Sequence, residues 1–265
     1  MEGRVVRISI APVKALHVVN PDEVELGRAG VPGDRRFWLV DDGGRLVNDK
    51  RHPQLLRVRV EWDETTRRLG LEFPDGRRVE GEVESGEPVT PELYGTPHPS
   101  RTVPGPWQDA LSDYVGQPLT LLWSESGAVD RGSDRGGWAS LVSRGSVDHL
   151  GRQAGAEGPV DARRFRMLFE IDGVEAHEED GWLGHQVAIG DAVIAPLGDV
   201  GRCAVTTKNP DTGETDLDTL GTLAAYRPDG VVEPLPFGVY CDVVVPGRVR
   251  VGDPVRLVVP DAVQA

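Results

Sequence analysis

The chain has 265 residues, 38% of them hydrophobic and 27% charged, ordinary proportions for a globular protein with room for one large or two modest domains. Its net charge of −14 repels nucleic acid and anionic membrane surfaces, so an anionic ligand has to be held by a local basic pocket. No apolar run approaches the roughly 20 residues needed to span a bilayer, the first ten residues do not read as a signal peptide, and Cys203 and Cys241 make no disulfide framework, which together point to the cytoplasm.

Val5–Ile10 and Val24–Leu26 alternate apolar and polar residues and are expected to be strands. Phe37–Val40 and Arg45–Val47 flank Asp42-Gly43-Gly44, a hairpin signal, and Leu69–Phe73 and Arg77–Val83 flank Pro74-Asp75-Gly76, another. Leu55–Trp62 also reads as a strand, so the first part of the chain predicts a small barrel or sandwich. Ser85–Ser100 is polar and proline-rich, a connection. Pro106 suits a first helical turn, with Trp107, Leu111 and Tyr114 following at helical spacing. Leu119–Trp123 predicts a buried strand, Gly127–Gly137 a surface loop, and Ser146–Ala154 a short helix capped by Ser146. Arg164–Ile171, Val187–Pro196 and Cys203–Thr207 read as strands, Leu217–Tyr226 as a helix, and Phe237–Val245 and Val249–Val259 as closing strands.

Cys203 is the sharpest chemical signal. It follows Gly-Asp-Val-Gly-Arg, a pliable run ending in a cation, and a thiolate beside an arginine suits a soft or high-valent metal. A buried, inert cysteine is the competing reading. Zinc is not expected, because no second Cys or paired His stands at ligand spacing. His149 and His185 read as surface residues and Cys241 as core. His177 reads either as a proton relay near pH 7 or as part of a solvated acidic turn. Asp211 reads as an Asx-type turn or a substrate contact.

Gly201-Arg202-Cys203-Ala204-Val205-Thr206-Thr207, followed by Asn209-Pro210-Asp211-Thr212-Gly213, resembles the cysteine signature of MOSC-domain proteins. Pro12-Val13-Lys14, Asp34-Arg35-Arg36-Phe37-Trp38, Arg164-Phe165-Arg166, Glu178-Glu179-Asp180-Gly181-Trp182 and Gly247–Val255 resemble further segments of that family in the same order. The resemblance spans almost the whole chain. It implies a mostly β protein with a few short helices, an N-terminal β-barrel domain over 1–95 joined to a MOSC β-barrel core over 96–265. It also implies a molybdenum cofactor, a pterin with a dithiolene and a phosphate, held between the two. By that likeness Cys203 is the molybdenum ligand and catalytic residue. Lys14, Arg35, Arg166, Gly201 and Arg202 join it as cofactor-binding residues, with Arg36 an equal candidate to Arg35.

Three departures stand out. Ala15 follows the lysine where the family has serine, Met167-Leu168 replaces a Pro-Asn pair, and Gly201 replaces a serine or cysteine. The resemblance implies a reductase of N-hydroxylated or N-oxide-type substrates. With no iron–sulfur cysteine cluster and no nucleotide fingerprint for flavin or NAD, its electrons come from a separate protein. The competing readings are a cofactor or sulfur carrier using a Cys203 persulfide, and a biosynthetic enzyme on the same scaffold.

Overall fold

A computed structural model of the protein describes residues 2–125, 127–130 and 137–258. Most of the expected Gly127–Gly137 loop and residue 259 of the expected last strand lie outside the described residues. The chain is mostly β, with three α-helices among the described residues: α1 at Pro106–Val115, α2 at Arg144–Gln153 and α3 at Thr219–Tyr226.

Seven strands close a barrel in the order Gly3–Ile8, Phe169–Asp172, Ala139–Ser143, Pro236–Val245, Ala192–Gly201, Val187–Ile189 and Pro254–Leu257, the last pairing back to the first. Ala139–Ser143 and Phe169–Asp172 are the one parallel pair in it, and the chain between them carries α2, as a parallel connection requires. Every residue of Ala139–Ser143 is buried, so this strand has no alternating signature in the sequence. Val5, Ile8, Leu141, Phe169, Ile194, Val239 and Cys241, all 0% exposed, fill the barrel.

The second body combines a five-stranded sheet, ordered Leu46–Val47, Phe37–Asp41, Leu119–Ser124, Ser100–Thr102 and Pro88–Val89, with a three-stranded sheet, Arg59–Asp63, Arg68–Glu72 and Arg78–Glu82. Phe37, Leu39 and Leu121 from one sheet share a core with Val60, Leu69 and Leu71 from the other. Helix α1 covers it through Trp107, whose indole N–H donates to the Leu69 carbonyl at 3.0 Å. Pairing crosses residue 95 in both directions: Gly3–Ile8 belongs to the C-terminal barrel, and residues 100–124 belong with Phe37–Asp41.

Several expected elements differ. Val187–Pro196 is two antiparallel strands, Val187–Ile189 and Ala192–Gly201, because the chain turns at Gly190 (φ 54°). Val249–Val259 is likewise divided, between Gly247–Arg250, which pairs with Glu23–Leu26, and Pro254–Leu257 of the barrel, with a turn at Gly252 (φ 95°). Leu55–Trp62 begins as a 3₁₀ turn, Pro53–Arg57, before the strand at Arg59–Asp63, because consecutive Leu55 and Leu56 are both buried and proline opens the turn. Arg164–Ile171 is likewise a 3₁₀ turn, Ala162–Phe165, followed by a strand at Phe169–Asp172. Cys203–Thr207 is no strand: the Cys203 carbonyl accepts from both the amide and hydroxyl of Thr206 at 3.0 Å, which winds Ala204–Thr207 into a 3₁₀ turn. Helix α2 is capped by Ser143, whose hydroxyl accepts from the Ser146 amide at 3.0 Å, and not by Ser146.

Candidate functional site

The chain passes from barrel to second body through Ala11-Pro12-Val13-Lys14. Val13 bridges Phe37, and the Lys14 amide donates to the Phe37 carbonyl at 2.8 Å. The Arg35 amide donates back to the Ala11 carbonyl at 2.8 Å, and the Asp34 carboxylate accepts from the Ala11 amide at 2.8 Å. These tethers set Lys14 beside Arg35. Opposite them, Arg166 closes the 3₁₀ turn in the left-handed region (φ 52°), while Arg202-Cys203 leaves the strand ending at Gly201. Segments distant in sequence thus line one cleft: Lys14-Ala15, Arg35, Asn48-Asp49-Lys50, Phe165-Arg166-Met167 and Val200–Cys203.

The cleft concentrates cations in an acidic protein. Lys14 pairs with Asp130; burial pulls its pKa down, but the charges of Asp130 and Tyr94 prevail and hold it above the usual lysine value. Arg35 is 7% exposed and donates to Asp34 at 2.8 Å and to the Arg166 carbonyl at 3.1 Å. Burial opposes its charge too, and Asp34 and Asp130 outweigh it. Arg166 is the exception. It donates to the Leu16 carbonyl at 2.9 Å and makes no ion pair among the described residues. Burial lowers its pKa, with the Arg35 charge adding to that and Asp49 only partly countering. Arg202 is fixed by the Phe237 and Phe165 carbonyls and by Met167 Sδ at 2.9 Å, over the faces of both phenyl rings.

Cys203 is a half-buried free thiol on the cleft wall, whereas Cys241 is fully buried in the barrel. Two of the three departures have physical reasons, and that at Ala15 has none in the structure. A Cβ at Gly201 would meet Glu233 Oε2 at 2.5 Å and its Cβ at 2.8 Å, so this strand end admits no larger residue while Glu233 accepts from the Gly201 amide. Leu168 is 2% exposed in the barrel core, and Met167 turns its sulfur to Arg202. Ala15 lines the cleft at φ 75°.

The cleft therefore gathers Lys14, Arg35, Arg166, Gly201, Arg202 and Cys203. Arg36 lies elsewhere, stacked 4.6 Å from the Trp123 ring: Arg35 sits in the turn before the strand at φ 49°, and the chain has changed direction by the time it enters Phe37–Asp41. Asp211 neither forms the Asx turn nor lines the cleft: Asn209 Oδ1 accepts from the Asp211 and Thr212 amides, and the Asp211 carboxylate pairs with Arg163 at 2.6 Å. His177 is partly buried, and burial, with help from Arg227 and His149, drops its pKa to about 4, so it is neutral at pH 7 and no relay there. His149 packs on His177 and Tyr226 instead of standing free on the surface, while His185 is exposed. Asp49, Asp130, Tyr94 and Tyr240 also line the cleft; nothing in their local sequence distinguishes them from turn or strand residues.

No helix among the described residues is long and apolar enough to cross a membrane, and no group of three or more His, Cys, Asp or Glu among them could hold a metal ion. The MOSC N-terminal beta barrel domain matches residues 2–117, and the MOSC domain matches residues 137–256. The chain is 36% identical to the mitochondrial amidoxime reducing component 2 of Macaca fascicularis over 284 residues, covering 96% of this chain and 83% of that protein. It is 26% identical to the mitochondrial amidoxime-reducing component 1 of Mus musculus over 291 residues, covering 96% and 82%. Against the molybdenum cofactor sulfurase of Oryza sativa subsp. japonica it is 26% identical over 253 residues, which is 83% of this chain but only 30% of that protein's length. With both of its domains matched and their strands interleaved around the Cys203 cleft, this chain belongs to the MOSC family.

Proposed function

We propose that the cleft holds a molybdenum cofactor with Cys203 as the protein's sulfur ligand, and that the protein is an oxidoreductase acting on N-hydroxylated or N-oxide-type substrates. The observation that carries this is the pairing of a half-buried thiol with Arg166, a withdrawn cation that has no anion of its own. The donor set fits the group: a pterin phosphate supplies the negative charge that Arg166 lacks, and a thiolate suits molybdenum.

When bound, the cofactor supplies a two-electron redox centre able to take an oxygen atom from substrate. Lys14, Arg35 and Arg166 grip its anionic part, and Arg202, locked by the Phe165 and Phe237 carbonyls, fixes the backbone that presents Cys203. Reduction of an N–OH group to N–H consumes two electrons and two protons and releases water. The electrons come from a separate carrier protein.

Molybdenum and pterin analysis of protein expressed in a cofactor-competent host tests the reading, followed by assay against N-hydroxylated amidines and N-oxides with a chemical reductant. Cys203→Ser should lose turnover by at least about a hundredfold, since one ligand atom sets the metal's chemistry, and should change the metal's absorption with the fold intact. Sulfane sulfur on Cys203 without metal would replace the reductase with the sulfur-carrier reading, which the likeness to a cofactor sulfurase favours.

A further inference from the structure

We infer that Asp49 reads the aminopyrimidinone edge of the pterin, an assignment that deepens the proposed function and rests on it. Asp49 lines the Cys203 cleft and is 7% exposed, yet no hydrogen bond or ion pair among the described residues holds its carboxylate. The other carboxylate on the cleft wall, Asp130, is held by Lys14. Asn48 beside it is occupied as well, its Oδ1 accepting from the Lys50 and Arg51 amides. A carboxylate withdrawn from water loses its solvation and needs N–H donors in return. Arg166 feels the Asp49 charge but does not reach it, donating instead to the Leu16 carbonyl.

A 2-amino-4-oxopyrimidine presents a ring N–H and an amino N–H side by side. A carboxylate accepts that pair with both oxygens, as it accepts the fork of a guanidinium. The cleft then offers one site for each part of the ligand: cations for the phosphate, Cys203 for the metal, and Asp49 for the ring edge. Guanine carries the same edge, so a guanine nucleotide is the other source of this chemistry.

The test is fluorescence titration of cofactor-free protein with pterin and with lumazine, in which a second carbonyl replaces the amino group, alongside calorimetric titration with guanosine monophosphate. The native protein should prefer pterin to lumazine by about tenfold or more, the scale of a hydrogen bond to a charged group. Asp49→Asn, nearly isosteric, should abolish that preference with unchanged melting temperature, and Asp49→Glu should keep part of it. Pterin content after expression in a cofactor-competent host should fall in Asp49→Asn as well. Equal pterin and lumazine affinity in the native protein, or a preference that survives in Asp49→Asn, overturns the inference. Tighter binding of guanosine monophosphate than of pterin overturns the pterin as ligand. A pterin preference set by Asp49 in a protein whose Cys203 binds no molybdenum would keep this inference and sink the metal reading.

Discussion

Two polar clusters flank Phe237, and they treat charge in opposite ways. On one side lies the Cys203 cleft, where Arg202 donates to the Phe237 carbonyl and Lys14 and Arg35 are held above their usual pKa values by carboxylates. On the other side His177 packs edge-on to the Phe237 ring, centroids 6.0 Å apart. There burial drives groups towards neutrality: His177 falls to about 4, Tyr226 rises to about 12, and Glu179 and Asp180 both rise. The same barrel thus builds a cleft that stays charged and a cluster that sheds charge. The first is suited to holding an anion and the second to holding α2 and the Glu178–Trp182 turn in place.

Breaking the charged side has the largest expected effect. Arg166→Ala should cut pterin and molybdenum retention on purification by about 10- to 100-fold, the range for losing a charge-assisted hydrogen bond at a withdrawn site. Arg36→Ala should leave retention unchanged, since that guanidinium lies on Trp123 outside the cleft. Metal and pterin content per protein measures both, and equal loss in the two variants would dissolve the distinction between cleft and surface.

The neutral side shows itself in pH dependence. Because folded His177 titrates near 4 and the ordinary imidazole near 6.5, the unfolded chain binds more protons between those values. Its contribution to stability is therefore present above the ordinary value and lost as pH falls towards 4. Glu179, raised by burial, contributes with the opposite sign: stability is present at low pH and lost as pH rises through its folded value. His177→Gln should flatten the decline in melting temperature between pH 6.5 and 4. Glu179→Gln should raise the melting temperature at pH 8 relative to pH 5. An unchanged acid limb in His177→Gln would show that the cluster is not neutral as described.

How much of this was legible in the sequence follows from side-chain period and chain separation. Phe37–Asp41, Leu119–Ser124 and Pro236–Val245 were read within a residue or so, because apolar runs bounded by turns survive in one dimension. Ala139–Ser143 was missed: buried on both faces, it carries no alternation. Cys203 stood out by its own Gly-Arg flank, whereas Lys14, Arg35 and Arg166 were legible only through their likeness to family segments, and Arg35 could not be told from Arg36 until the turn before Phe37–Asp41 was known. Asp49 was invisible, since in sequence it is one polar residue in an Asn-Asp-Lys turn. Its meaning comes from the wall it faces.

Gly201 sharpens the comparison on the cleft side. Gly201→Ala places a methyl carbon 2.5 Å from Glu233 Oε2 and 3.0 Å from the Pro234 carbonyl. The strand end that presents Arg202 and Cys203 must then shift, at about 1–3 kcal/mol, typical of overpacking. Denaturant unfolding of Gly201→Ala, Glu233→Ala and the double variant reads this directly. The double variant should recover part of the loss. Strict additivity of the two single effects would show that the glycine serves something other than close approach.

The smallest effect is expected at the cap that joins the neutral cluster to α2. The Ser143 hydroxyl accepts from the Ser146 amide at 3.0 Å and bonds the Ser146 hydroxyl at 2.7 Å, and Ser146 in turn donates to Glu179 Oε1 at 2.7 Å. Ser143→Ala removes the cap but leaves the Ser143 amide donating to Glu179, so it should cost about 1 kcal/mol, the usual value for an N-cap. Ser146→Ala removes no cap. It strips Glu179 of its nearest hydroxyl donor while that carboxyl is already pushed towards its neutral form by burial. Its penalty should therefore grow with pH more steeply than that of Ser143→Ala, whose hydroxyl bears less strongly on the same carboxyl. Urea unfolding of both variants at pH 5 and pH 8 checks the contrast. A pH-independent penalty at Ser146 would mean that Glu179 holds its charge in the fold, placing it with the cleft's ions instead of opposite them.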